Sequence, residues 1–197
     1  VSIDSTPTVV IVPGLRDHVA DHWQTLLADQ LDNARTVAPL EHDKLSRAAR
    51  VAALDDVLRD IDGPVVLVAH SAGVMITVHW AQHSTRPIAG ALLATPADLE
   101  MPMPPGYPTP EQLDNAGWNP IPRGRLPFPS IVAASRNDPL GSYRRIAGMA
   151  EVWGSRLVDL GNVGHLNPAS GYGPWPMAQE LLQDLIDNTA AQHAGRR

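Results

Sequence analysis

Apolar positions along this chain fall into two alternating patterns. Short continuous runs come at Thr8-Val9-Val10-Ile11-Val12, Val65-Val66-Leu67-Val68 and Ser130-Ile131-Val132-Ala133-Ala134. Runs of this length, rich in β-branched residues and lacking polar alternation, predict strands buried on both faces. Further strands are predicted over Arg35–Ala38, Ile88–Ala94 and Arg156–Leu160. Between them, apolar residues recur at helical spacing. Trp23, Leu26, Leu27 and Leu31 predict a helix over 18–32. Val51, Leu54, Leu58 and Ile61 predict a second, opened at Leu45 or Ser46 and ended by Asp62-Gly63-Pro64. Others run from Ser71 to about His83, from Tyr143 to Trp153 and from Pro176 to about Thr189. Six strands alternating with helices predict one α/β domain, its sheet mostly parallel and covered by helices on both faces.

Residues 96–129 interrupt this rhythm. Ten of the 19 prolines fall there, which rules out a long helix or a central strand. Met101, Met103, Tyr107 and Trp118 make the stretch too apolar for a free linker. It reads as an ordered excursion packed over the domain, either as cover for a sheet edge or as a lid over a pocket. The ends, 1–7 and 190–197, read as flexible.

Composition narrows the function classes. With 44% apolar and 18% charged residues in 197, the chain reads as one ordinary globular domain. A net charge of −6 and the lack of any Lys/Arg run argue against nucleic acid. No apolar run reaches membrane-span length. Without cysteine there is no disulfide, thiol nucleophile or Cys-based zinc site. Together with a first segment lacking a basic n-region, this predicts a cytoplasmic location. His18 and His22, like His79 and His83, are four apart, but neither pair contains the Glu of a metalloprotease motif, so they read as surface histidines. Asp17, Asp21 and Asp29 read as a solvated helix face and its start.

Candidate chemistry collects just after the strands, where sites lie in open parallel sheets. Ala69-His70-Ser71-Ala72-Gly73, between an apolar run and a helix, has the small-x-Ser-x-Gly form of a nucleophile elbow. Asp138 follows the fifth strand and His165 the sixth, giving the order Ser, Asp, His. Ser71 would attack a carbonyl, His165 would take and return its proton, and Asp138 would fix the imidazole tautomer. Asp98, after the fourth strand, is the rival acid; Asp159, within the last strand, is the weaker one. Backbone N–H groups of Leu15 and Ala72 are the candidate oxyanion donors. His70 reads as packing in the elbow. Met101, Met103, Trp118, Tyr172 and Trp175 are the candidate substrate-binding residues, with Leu15 beside them. That lining is apolar with few cations, which favours uncharged acyl groups.

Several longer stretches carry a family resemblance. They are Val10-Ile11-Val12-Pro13-Gly14-Leu15 with His22-Trp23-Gln24, the elbow, and Leu126-Pro127-Phe128-Pro129-Ser130 with Ala134-Ser135-Arg136-Asn137-Asp138-Pro139. Last come Gly164-His165-Leu166-Asn167 and Ser170-Gly171-Tyr172-Gly173-Pro174-Trp175-Pro176. In this order they resemble the small serine hydrolases related to retinoblastoma-binding protein nine and its bacterial counterparts. The resemblance implies a compact α/β-hydrolase core, a Ser71–Asp138–His165 triad and esterase activity on small esters. The chain departs from the pattern at Ala69, where hydrolases usually have Gly, and at Met177, where the family usually has an acid. The expected activity is hydrolysis of carboxylic esters through an acyl-enzyme, with no metal or organic cofactor and a small-molecule ester as partner. The alternatives are a thioesterase or amidase, or a hydrolase-fold module that holds a protein partner on its Pro-rich surface.

Overall fold

The computed structural model describes residues 6–194, the last six as backbone alone. Six strands form one all-parallel sheet: β1 (Thr8–Val12), β2 (Ala34–Thr36), β3 (Val65–His70), β4 (Gly90–Ala94), β5 (Ser130–Ala134) and β6 (Arg156–Asp159). Their order across the sheet is β2-β1-β3-β4-β5-β6. Alternate residues of each central strand face opposite layers. Val10, Val12, Leu67, Leu93 and Val132 enter one core with Leu54, Leu58, Met75, Ile146 and Trp153. Val9, Ile11, Val66, Val68, Leu92 and Ile131 enter the other with Trp23, Leu27, Leu181 and Leu185. That double burial is why the strands read as unbroken apolar runs. Helices α2 (Arg47–Arg59), α3 (Ala72–Ala81) and α5 (Tyr143–Trp153) cover the first face. Helices α1 (Trp23–Asp29) and α6 (Met177–Ala194) cover the second. No helix among the described residues is long and apolar enough to cross a membrane.

Several element ends differ from the sequence expectation. α1 starts at Trp23 rather than near residue 18, because the preceding residues close a turn in which the His22 N–H donates to the Val19 carbonyl (3.1 Å). His22 Nδ1 then caps the helix by accepting from the Gln24 N–H (3.2 Å). α3 stops at Ala81, two residues short of His83, and α6 continues past Thr189 to Ala194. Of the ends expected to be flexible, 1–5 and 195–197 lie outside the described residues.

The Pro-rich excursion contains one short helix, α4 (Pro110–Asn115), opened by a capping box between Thr109 and Gln112. Its flanks are tied into the domain. Trp118 is fully buried, and its indole N–H donates to the Leu45 carbonyl (2.7 Å). His79 Nε2 donates to the Trp118 carbonyl (2.9 Å), and Trp153 Nε1 donates to that of Pro122 (2.8 Å).

Candidate active site

Gly73 fixes where the site stands. A Cβ at this position would overlap the Val12 carbonyl oxygen and lie 2.7 Å from that of Pro13. Only glycine lets α3 start this close to the end of β1. The turn that joins β3 to α3 holds Ser71 at φ 59° and ψ −127°, a left-handed backbone that a non-glycine residue rarely adopts. The Ser71 N–H donates to the Ala94 carbonyl of β4 (3.1 Å). Gly14, just past the end of the neighbouring β1, faces it, and a Cβ there would come 3.2 Å from Ser71 Cβ.

Three side chains from three strand ends meet at this point. The Ser71 hydroxyl lies 2.9 Å from His165 Nε2. His165 Nδ1 lies 2.8 Å from Asp138 Oδ2 and 3.0 Å from Oδ1. A carboxylate only accepts, so Nδ1 carries the proton and Nε2 is free to accept from the serine. The His165 and Asp138 side chains are 6% and 3% exposed, which shields the pair from water. Asp138 also accepts from the Leu140 N–H (2.8 Å). The His165 loop is held independently. Its carbonyl accepts from His70 Nε2 (2.8 Å), and its N–H donates to Ser170 Oγ (3.0 Å). Asn137 Oδ1 accepts from the Gly164 N–H (2.7 Å), linking the two loops.

Asp98 is placed differently. It is buried, but Arg145 of α5 takes its carboxylate in an ion pair and also bonds Glu100 (2.9 Å). Asp159 accepts from Arg136 Nε (2.8 Å) at the exposed end of β6. Neither is hydrogen-bonded or ion-paired to His165 among the described residues. Its two histidine neighbours stay neutral. Burial pushes His22 down to about 4 with help from the charge of His165, and burial, first among its causes, holds His70 well below 6.5. His22 and His79 are buried rather than on the surface as their spacing suggested. Asp17 is likewise no solvated residue; it pairs with the buried Arg50.

Ser71 opens into a cavity of about 650 Å³, the size of a small-ligand pocket. Leu15 and Met103, two of the expected lining residues, line it, as does Ala72, a candidate oxyanion donor. The other four candidate binding residues do not. Met101 points to solvent at 45% exposure, and Trp118 sits behind the wall, its ring consumed by the core. Tyr172 and Trp175 pack on the opposite face of the sheet, where Trp175 meets the Trp23 ring edge-on at 4.8 Å. Leu45, Ala97, Leu99, Tyr107 and Leu140 supply the apolar wall instead. The roles of two buried polar residues, Gln24 and Arg50, were not read from the sequence. Gln24 donates to the Val12 and Val68 carbonyls (3.2 and 2.9 Å), and Arg50 donates to those of Leu15 and Lys44 (3.2 and 2.8 Å). Arg50 had a signal: it shares a helical face with Leu54 and Leu58, where a solvated charge has no place.

Comparison with known proteins bears on the family and the fold. The family model described as "Serine hydrolase" matches residues 9–184. A sequence comparison with curated proteins finds no match. Among solved structures, a YdeN-like hydrolase of Pectobacterium atrosepticum is 31% identical, with TM-score 0.78 over 92% of this chain and 91% of that one. The ydeN gene product of B. subtilis is 18% identical, with TM-score 0.72 over 92% and 100%. A thermophilic esterase from Thermogutta terrifontis shares the fold at 16% identity, with TM-score 0.60 over 92% and 91%. These matches carry the broad resemblance read from the sequence, not its narrower retinoblastoma-binding-protein-nine form. With its six-stranded parallel sheet and a family match over nearly its whole length, this chain is an α/β-hydrolase-fold protein and belongs to the serine hydrolase family.

Proposed function

We propose that the chain hydrolyses carboxylic esters through an acyl-enzyme formed on Ser71. The observation that carries this reading is the buried chain of hydrogen bonds from Ser71 through His165 to Asp138, ending on the floor of an apolar cavity. A serine hydroxyl becomes nucleophilic only when a base takes its proton as it attacks. His165 Nε2 is within reach of that proton, and Asp138 stabilises the imidazolium that forms. The same proton then passes to the departing alkoxide, leaving the acyl group on Ser71 Oγ. Water, activated by His165, hydrolyses this ester and restores the enzyme.

The tetrahedral oxyanion needs donors already in place. The N–H groups of Leu15 and Ala72 fill this role in the proposal. Both residues line the cavity beside Ser71, and Ala72 opens α3, where the first N–H groups lack intrahelical partners. Losing one such donor costs about 3–4 kcal/mol of transition-state stabilisation. The apolar wall suits aliphatic substrate portions.

The test is hydrolysis of p-nitrophenyl esters of increasing acyl length by wild type and Ser71→Ala. The proposal expects turnover by the wild type with a length optimum, and loss of at least about a thousandfold in kcat in the variant. Equal turnover by the two proteins contradicts it.

A further inference from the structure

The cavity is apolar where it is buried and charged where it opens. Ala97, Leu99 and Leu140 form the buried wall, while Arg16 and Lys44 stand exposed at the mouth. One carboxylate belongs to the lining, Asp17, and the Arg50 guanidinium already neutralises it. Arg16 and Lys44 make no ion pair among the described residues. Glu41 and Asp43 closely precede Lys44 in sequence, yet neither lines the cavity nor makes an ion pair with it. The mouth is therefore a cationic spot on a chain whose net charge is −6.

This spot is built on a buried anchor. One guanidinium, that of Arg50, donates to the Leu15 carbonyl, the Lys44 carbonyl and the Asp17 carboxylate. It binds the backbone next to Arg16 and the backbone of Lys44 to the same group of atoms, so both cations rise from one stretch of rim. Its own side chain is 6% exposed. Arg16 is further steadied over the Tyr107 ring, 5.3 Å from its centre, on the tip of the Pro-rich excursion.

We infer that the substrate is an ester with an apolar portion beside Ser71 and an anionic group at its far end, received by Arg16 and Lys44. This rests on the hydrolytic reading above and replaces the expectation of wholly uncharged groups. That expectation assumed a lining of Leu15, Met101, Met103, Trp118, Tyr172 and Trp175; Leu15 and Met103 do line the cavity, while these cations and aliphatic residues stand in place of the other four.

The experiment compares esters matched in length. Mono-p-nitrophenyl adipate against p-nitrophenyl hexanoate places a carboxylate at the end of the acyl chain. 4-(Hexanoyloxy)benzoate against phenyl hexanoate places it on the alcohol side. In at least one pair, kcat/KM should favour the anionic ester by about tenfold at low ionic strength, with the preference shrinking as salt screens it. In the Arg16→Glu/Lys44→Glu variant that ratio should fall below one. A wild type that prefers the neutral ester in both pairs overturns the inference, as does a ratio that charge reversal leaves unchanged. Titration of Ser71→Ala with the same esters reads the preference without chemistry. Tighter binding of the anionic member supports the inference, and equal binding overturns it. Loss of all ester turnover would count against the hydrolytic reading, while the titration would still decide the anion.

Discussion

At the end of β4 the chain delivers Asp98, and at the end of the neighbouring β5 it delivers Asp138. Both carboxylates are withdrawn from water. Asp98 meets an arginine, and Asp138 meets a histidine that reaches Ser71. A carboxylate on an arginine is committed, because the guanidinium keeps its charge at any pH of interest. A carboxylate on an imidazole can stabilise a charge that comes and goes. The sheet thus offers two equivalent positions, and the partner decides which holds structure and which serves chemistry.

Substitutions at the two positions should separate the roles. Asp138→Asn should lower kcat by about ten-thousandfold, because an amide no longer selects the His165 tautomer. Its unfolding midpoint should move little. Comparable kcat in the variant and wild type would break the comparison.

Asp98→Ala should do the reverse. Removing it leaves Arg145 with Glu100 alone and should cost about 1–3 kcal/mol of stability, read from the urea midpoint. Ester turnover per folded molecule should stay within a few-fold of wild type.

Trp118 sharpens the contrast between wall and support. Trp118→Phe removes the indole N–H that bonds the Leu45 carbonyl, at about 1–2 kcal/mol of stability. Its KM for a short neutral ester should change less than twofold. A larger change in KM would return Trp118 to the substrate.

The smallest effect concerns His22. Its folded value, about 4, lies below its ordinary 6.5, so the unfolded chain binds this proton more readily. The stability it contributes is whole above about 6.5 and drains as pH falls toward about 4. Tm should fall over that window, and less steeply in His22→Gln. Parallel pH profiles for the two proteins would contradict the assignment.

Much of this organisation was legible in the residues. Strands buried on both faces announce themselves, and Ser130–Ala134 and Tyr143–Trp153 match the structure end for end. Ser71, Asp138 and His165 stood out because each follows a strand. The sequence favoured Asp138 over Asp98 by its place after the fifth strand, but it did not show what Asp98 does instead, because that turns on Arg145, 47 positions away along the chain. The cavity wall was the least legible part. Aromatic residues suggested pockets, but Trp118 was drawn into one core and Trp175 packs, half-buried, against the other, where their large apolar area is worth most. Arg50 hid in an amphipathic helix as one more charge.

The central claim is that Asp138, and not Asp98, makes Ser71 nucleophilic through His165. The second-order rate of Ser71 phosphonylation by a fluorophosphonate measures this directly. We predict labelling of wild type and Asp98→Asn at similar rates, labelling of Asp138→Asn slower by at least about a thousandfold, and none of Ser71→Ala. Slow labelling of Asp98→Asn beside normal labelling of Asp138→Asn would contradict the account.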